Sequence, residues 1–94
     1  MINNKIMLHI IVIESGFVYI GEIEAYKCQF LGESLRIKNA YNIRRWGTSD
    51  GLGELANIGK KKETVLDFCG SVICPKNKVL YIIPVTDSAA KTYE

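Results

Sequence analysis

Apolar residues run almost unbroken from Ile6 to Ile13, with His9 the one interruption, and stop at Glu14-Ser15-Gly16. The β-branched content of residues 5–13 predicts a buried strand ending in a polar turn suited to a hairpin. A second strand follows over residues 17–26, where Phe17, Tyr19, Gly21, Ile23 and Ala25 alternate with Val18, Ile20, Glu22 and Glu24. One face turns polar towards its end, as in a half-exposed strand. Gly21 stands inside this strand, a position that marks a bend, a bulge or a close backbone approach. A strongly curved sheet is the expectation.

Cys28-Gln29-Phe30-Leu31 leads into a turn at Gly32-Glu33-Ser34, after which Leu35-Arg36-Ile37-Lys38 alternates apolar with basic residues. That predicts a third strand, with residues 39–47 continuing as a fourth strand or as loop. Thr48, Ser49 and Asp50 offer capping side chains to a short helix over residues 51–58, and Gly59 is placed to close it. Leu52, Leu55, Ala56 and Ile58 fall at helical spacing and are expected to pack on the sheet. Lys60-Lys61-Lys62 then leads into residues 63–68, which return the chain to the sheet or cover it, a loop with apolar anchors being the expectation. Ser71 to Cys74 and Val79 to Val85 are expected to pair as a hairpin through Pro75-Lys76-Asn77-Lys78. Pro84 lacks an N–H and belongs at an edge or bulge. Residues 87–94 are expected as a frayed helical turn. The predicted fold class is α+β and mainly β: a small, strongly bent sheet of five to six strands, or an Sm/SH3-like barrel, with one short inserted helix. Residues 1–94 are read as a single domain with its helical insertion at about 48–60.

Composition changes this picture little. The 94 residues are 48% hydrophobic and 23% charged, ordinary globular usage. A chain this short buries a modest share of its surface, so association with further copies of itself is expected. The net charge of +2 is too weak to imply polyanion binding from the whole-molecule field. Cys28, Cys69 and Cys74 lack the C-x-x-C spacing of zinc or redox motifs and are expected as reduced, partly buried thiols. With His9 the single histidine, no metal site and no cofactor are expected. The N-terminal apolar run falls short of the about 20 residues of a membrane span and carries no convincing cleavage site. A cytoplasmic location and no membrane partner follow as expectations.

The chain contains no nucleophile elbow, P-loop, dinucleotide fingerprint or zincin motif. A His or Cys mechanism would have to join His9 to one of three scattered thiols, so a non-enzymatic protein is expected. The most informative segment holds Arg44, Arg45 and Trp46, the only adjacent arginines and the only tryptophan, flanked by Asn42, Thr48 and Ser49. A guanidinium fork, a stacking ring and nearby hydroxyl or amide donors are what a nucleotide requires: arginine grips phosphate oxygens, and a base stacks on the indole. Donors at the helix start extend the same logic to further phosphate contacts. Tyr41 is the strand tyrosine most suited to join them. The same residues also have ordinary structural uses, Trp46 as a core or interface anchor and an arginine as partner to Asp50, Glu54 or Asp67. Lys60, Lys61 and Lys62 extend a positive rim or form a solvated loop.

Two resemblances add to this reading. The stretch from Gly16 to Ile23 followed by Leu35 to Ala40, with Ser71 to Val85 as a closing hairpin, resembles an Sm-like barrel, residues 44–70 being an insertion longer than usual. Separately, Asn39-Ala40-Tyr41, Ile43-Arg44-Arg45-Trp46-Gly47-Thr48, Gly51-Leu52-Gly53-Glu54-Leu55-Ala56 and Glu63-Thr64-Val65-Leu66-Asp67 resemble a family of small proteins from phages and bacterial genomes. That family's usual Gly-Pro-Thr before the last stretch is replaced by Lys60-Lys61-Lys62, and no activity comes with the likeness. The expectation is a phage-encoded homo-oligomer in the host cytoplasm that captures a small phosphorylated ligand, a nucleotide or cyclic-nucleotide immune signal, at subunit-interface pockets. An Sm-like RNA-binding ring and a protein-binding inhibitor or structural phage module are the alternatives.

Overall fold

The computed structural model describes residues 7–94. Lys5 and Ile6, the start of the expected first strand, lie outside the described residues. The fold is a small, mainly β, α+β arrangement. Its elements are β1 (His9–Ile13), β2 (Val18–Cys28), β3 (Gly32–Arg45), α1 (Leu52–Asn57), β4 (Val65–Pro75), β5 (Val79–Pro84) and α2 (Asp87–Ala90). Among the described residues the strands form one antiparallel sheet in the order β4-β3-β2-β1-β5. No helix of these residues is long and apolar enough to cross a membrane.

The first hairpin turns where expected: Gly16 takes φ 95° and its N–H donates to the Ile13 carbonyl at 2.9 Å. The second turns earlier than expected, on residues 29–31, and Gly32 opens β3 opposite Cys28. A three-residue hairpin loop needs a left-handed residue at its exit, and Gly32 supplies it at φ 78°. Residues 32–45 are then a single strand rather than two.

Gly21 bends the sheet, as its place in the strand predicts. The β2–β3 register slips between Ile20 and Glu22, and the β3–β4 register between Ile37 and Ala40. A Cβ on Gly21 would lie 2.7 Å from Ile37 Cγ2 and 2.9 Å from the Lys38 carbonyl oxygen, so the two backbones meet closer than any side chain allows. Asn39, on the facing strand, adopts the left-handed φ of 51°, and its side-chain amide donates to Glu22 Oε2 at 3.3 Å. Asparagine tolerates that conformation better than most residues.

The expected hairpin between the last two strands does not form. β4 pairs with β3 and β5 with β1, at opposite edges of the sheet. A 3-10 turn at Lys76–Lys78 joins them. Such a turn advances only about 6 Å in three residues, so curvature has already brought the two edges together at this end. Cys74 of β4 and Val79 of β5 accordingly pack in one cluster with Ile11, Ile37 and Ala40. The sheet is bent but open, not a closed barrel. Pro84 sits on edge strand β5, where a missing N–H is harmless.

The opposite face carries the second core, in which Ile10, Val18, Ile20 and Ile43 meet Leu55 and Ala56 of α1, Val85, and Ala89 of α2. Ile58, expected in this core, is 60% exposed because α1 ends at Asn57 and the chain turns away at Gly59. Residues 87–94 are packed rather than frayed. Thr86 caps α2 by accepting from the Ala89 N–H at 3.2 Å, and the Tyr93 hydroxyl donates to the Leu55 carbonyl at 2.8 Å. Residues 65–68, expected as loop, belong to β4. Leu66 pairs with Ile43 and packs on the helix-bearing core, while Phe68 pairs with Tyr41 and stays 64% exposed.

Candidate ligand-binding site

Alternation along β3 divides the residues that the sequence singles out. Tyr41 and Ile43 face the helices, and Tyr41 meets Phe68 edge to face with ring centroids 5.2 Å apart. Asn42 and Arg44 turn to the other face, where Asn42 stands opposite Asp67. Arg44 forms a fork on that carboxylate: Nε donates to Oδ2 at 2.7 Å and Nη2 to Oδ1 at 3.2 Å. These bonds, more than the charge alone, raise the Arg44 pKa above its ordinary value. Of the carboxylates named for an arginine partner, Asp67 is the one used.

Arg45 and Trp46 occupy the exit of the strand. Arg45 Nη1 lies 3.9 Å from Glu63 Oε1, beyond hydrogen-bond length, and both side chains are about two-thirds exposed at 67% and 65%. Trp46 is 43% exposed, so it is neither sealed in the core nor fully free. The edge of its indole rests over Gly51, where an added Cβ would lie 3.9 Å from Cζ3.

The chain beyond Trp46 is tied down at several points. Thr64 Oγ1 donates to the Trp46 carbonyl at 2.7 Å and accepts from the Lys61 N–H at 2.9 Å. Gly47, at φ 67°, presses so closely on the Glu63–Thr64 peptide that no Cβ fits between them. Thr48 is spent internally, donating from Oγ1 to the Gly51 carbonyl at 2.9 Å.

The start of α1 departs from expectation. Its N-cap is Gly51 and receives no side-chain cap. Glu54 instead reaches back to accept from the Ser49 and Asp50 N–H groups at 3.1 and 3.0 Å. The Asp50 N–H is the chief reason that the Glu54 carboxyl is held below its ordinary pKa, with Lys61 Nζ at 3.5 Å adding to it. Those two amides, ahead of the helix, are therefore occupied by an anion belonging to the chain rather than open to a phosphate. Of the basic run, Lys61 is committed to Glu54, while Lys60 and Lys62 are exposed.

Arg44, Arg45 and Trp46 are thus each exposed at the end of β3, with separate surroundings. Thr48 supports that strand end from within, and Tyr41 lies on the other face of the sheet. Tyr41 instead lines a groove of about 450 Å³ between the sheet and the C-terminal segment, together with Leu8, Glu22, Asn39, Lys91 and Tyr93. Sequence reasoning missed Lys91 and Tyr93. The signal was present in Thr86-Asp87-Ser88-Ala89, a capping residue ahead of small helix-compatible residues, with Tyr93 four residues after Ala89 on the same helical face.

Of the thiols, Cys74 is buried and its pKa is raised by that burial, whereas Cys69 is exposed on β4 rather than partly buried. His9, expected as a satisfied strand residue, has a buried Nδ1 that finds no hydrogen-bond partner among the described residues. No family model and no curated protein matches the chain.

Proposed function

We propose that this chain is a non-enzymatic binding protein, assembled from several copies, that captures a small phosphorylated ligand of the nucleotide or cyclic-nucleotide kind. Its grip is assigned to Arg44, Arg45 and Trp46, with Thr48 holding that strand end in shape. Encoded by a phage, as the resemblance to small phage proteins implies, it would act in the host cytoplasm by sequestering an immune signal. The single observation that carries this proposal is that Trp46 and the two arginines preceding it in sequence are all solvent-exposed at an anchored strand end. The Arg44–Asp67 pair does not oppose it. A surface ion pair contributes about 0–1 kcal/mol, and phosphate oxygens accept the same two-pronged bond.

The test is a melting-temperature and calorimetric titration against mono-, di- and cyclic nucleotides. A ligand that raises the melting temperature of the wild type, and whose affinity falls about tenfold or more (~1.4 kcal/mol) in Arg45→Ala and Trp46→Ala while their circular dichroism is unchanged, bears the proposal out. No shift across the whole panel overturns it.

The curled five-stranded sheet, with β5 beside β1, favours one second reading, a binder of single-stranded RNA built on an Sm-like sheet. Retention of short oligoribonucleotides that weakens steeply with salt, without response to mononucleotides, would select it.

A further inference from the structure

The helix-bearing face of β2 and β3 changes character at the bend. Ile20 and Tyr41 are partners across the two strands, and one step further along the same face the strands present polar residues, Glu22 and Asn39. Ala90 and Tyr93 of the C-terminal segment, with Leu8 ahead of β1, complete the groove of about 450 Å³. That volume lies within the about 300–1,000 Å³ of small-molecule sites, and a mostly apolar lining with a few polar groups is what such sites share. The wall is firmly held. The Tyr93 hydroxyl is spent on the Leu55 carbonyl, and Thr92 Oγ1 accepts from the Lys60 N–H at 2.7 Å while donating to the Ala89 carbonyl at 2.6 Å.

Glu22 is the fixed charge in this groove. Its side chain belongs to a half-buried residue, and Asn39 Nδ2 donates to Oε2 at 3.3 Å. That long bond from a neutral amide is the only one the carboxylate receives among the described residues, and none of their cations pairs with it. Glu24, two residues on and on the same strand, has both Arg36 and Lys38. A carboxylate partly withdrawn from water with a single neutral donor is incompletely satisfied. The other charges of the groove are differently placed. Lys91 and Glu94 are exposed at its mouth, and Asp87 is already partnered and adds no free charge.

We infer that this groove is a second binding site, for a small organic cation: a primary ammonium group on an apolar or aromatic body. The ammonium donates to Glu22, which supplies the charged acceptor that makes such bonds strong. The body lies along Ile20, Tyr41 and Tyr93, and tyrosine rings favour a cation over an anion at their faces. A neutral guest of the same shape leaves Glu22 as poorly satisfied as before, and an anionic one meets it as a like charge. Lys91 does not reverse this preference, because its ammonium stands in solvent on a flexible stem while Glu22 is half-buried and held by Asn39. The site is separate from the one proposed for nucleotides: none of Arg44, Arg45 and Trp46 lines it.

The test is an NMR titration of the ¹⁵N-labelled full chain with three probes of one shape, 3-phenylpropylamine, 3-phenylpropan-1-ol and 3-phenylpropanoate, at constant ionic strength. The amine is expected to shift the amides of residues 20–22, 39–41 and 90–93 and to bind at least about tenfold more tightly than the alcohol, the gap that a hydrogen bond to a charged group supplies. The propanoate should bind more weakly than either. Glu22→Gln, which keeps an acceptor for Asn39, should remove the advantage of the amine and leave the affinity for the alcohol unchanged, with circular dichroism confirming the fold. Lys91→Met, which removes the competing cation, should tighten the amine further. An amine that binds no better than the alcohol, shifts that fall outside the groove, an amine advantage that survives in folded Glu22→Gln, or a preference for the propanoate overturns the inference.

Discussion

Replacing Gly21 by alanine tests the bend on which the whole sheet depends. The new methyl group would meet Ile37 Cγ2 at 2.7 Å, the Lys38 carbonyl at 2.9 Å and Ala40 Cα at 3.3 Å. Carbon atoms rest at about 3.5–4.0 Å, so the facing strand must retreat by roughly an ångström. Ile37 cannot swing aside because it is fully buried, and the other two contacts are backbone. Overpacking of a tight core costs about 1–3 kcal/mol, and rigid backbone neighbours place this case at the upper end, about 3 kcal/mol. Removing glycine's freedom in the unfolded chain returns about 0.4–1 kcal/mol. The expected net loss is therefore ~2 kcal/mol, or a fall in melting temperature of about 8–16 °C for a domain of this size.

Gly53→Ala supplies the control, since it lies in α1 with nothing within 4 Å of the added carbon. It should stabilise by about 0.5–1 kcal/mol. Urea unfolding of the three proteins, compared by midpoint at a common slope, measures both changes. If Gly21→Ala costs less than about 0.5 kcal/mol, on the scale of an unremarkable surface substitution, the two strands do not approach as described and the bend has another cause.

Two further predictions concern titrating groups. Burial pushes the Tyr93 hydroxyl up to about 12 from 10.0. Because the folded value is raised, its stabilisation is complete below pH 10 and is lost as pH rises towards 12. Tyr93→Phe should cost about 1 kcal/mol at neutral pH through loss of the bond to the Leu55 carbonyl, and should flatten the alkaline limb of a stability–pH curve. An unchanged limb refutes the assignment. Glu54 is lowered from 4.5 by the Asp50 N–H and Lys61. Its contribution is present above pH 4.5 and lost as pH falls through the lower folded value. Glu54→Gln should reduce the acid sensitivity of the fold, and parallel acid denaturation curves for the two proteins would contradict that.

The bend, the first hairpin and the inserted helix were legible because each depends on residues close in sequence: Gly21 within a strand, Gly16 at a turn, Gly59 after apolar residues at helical spacing. The pairing of β4 and β5 was not. Pro75-Lys76-Asn77-Lys78 has hairpin chemistry, but a local turn does not specify whether the chain returns to the strand it has left or crosses to the far edge. That outcome depends on curvature generated some fifty residues earlier at Gly21. Residues 65–68 were misread for a related reason: Asp67 breaks the apolar run, yet it points away from the core and pairs with Arg44. The run of Arg44, Arg45 and Trp46 was visible as composition. Its separation from Tyr41 follows from strand alternation, whereas the occupation of the Ser49 and Asp50 amides depends on the Glu54 carboxylate reaching back five and four residues, two and one steps longer than the usual capping box.

If the proposed function holds, the anchoring of residues 46–51 decides how affinity would be tuned. With Gly47 wedged on the Glu63–Thr64 peptide, Thr48 bonded across the loop and Glu54 holding two of its amides, this segment has little conformational freedom left to surrender. A guest would meet a preorganised surface and forgo most of the ordering penalty that mobile loops exact. Selectivity among related guests should then change through the side chains mounted on this strand end, whereas substitutions at its anchors should degrade recognition of every guest alike.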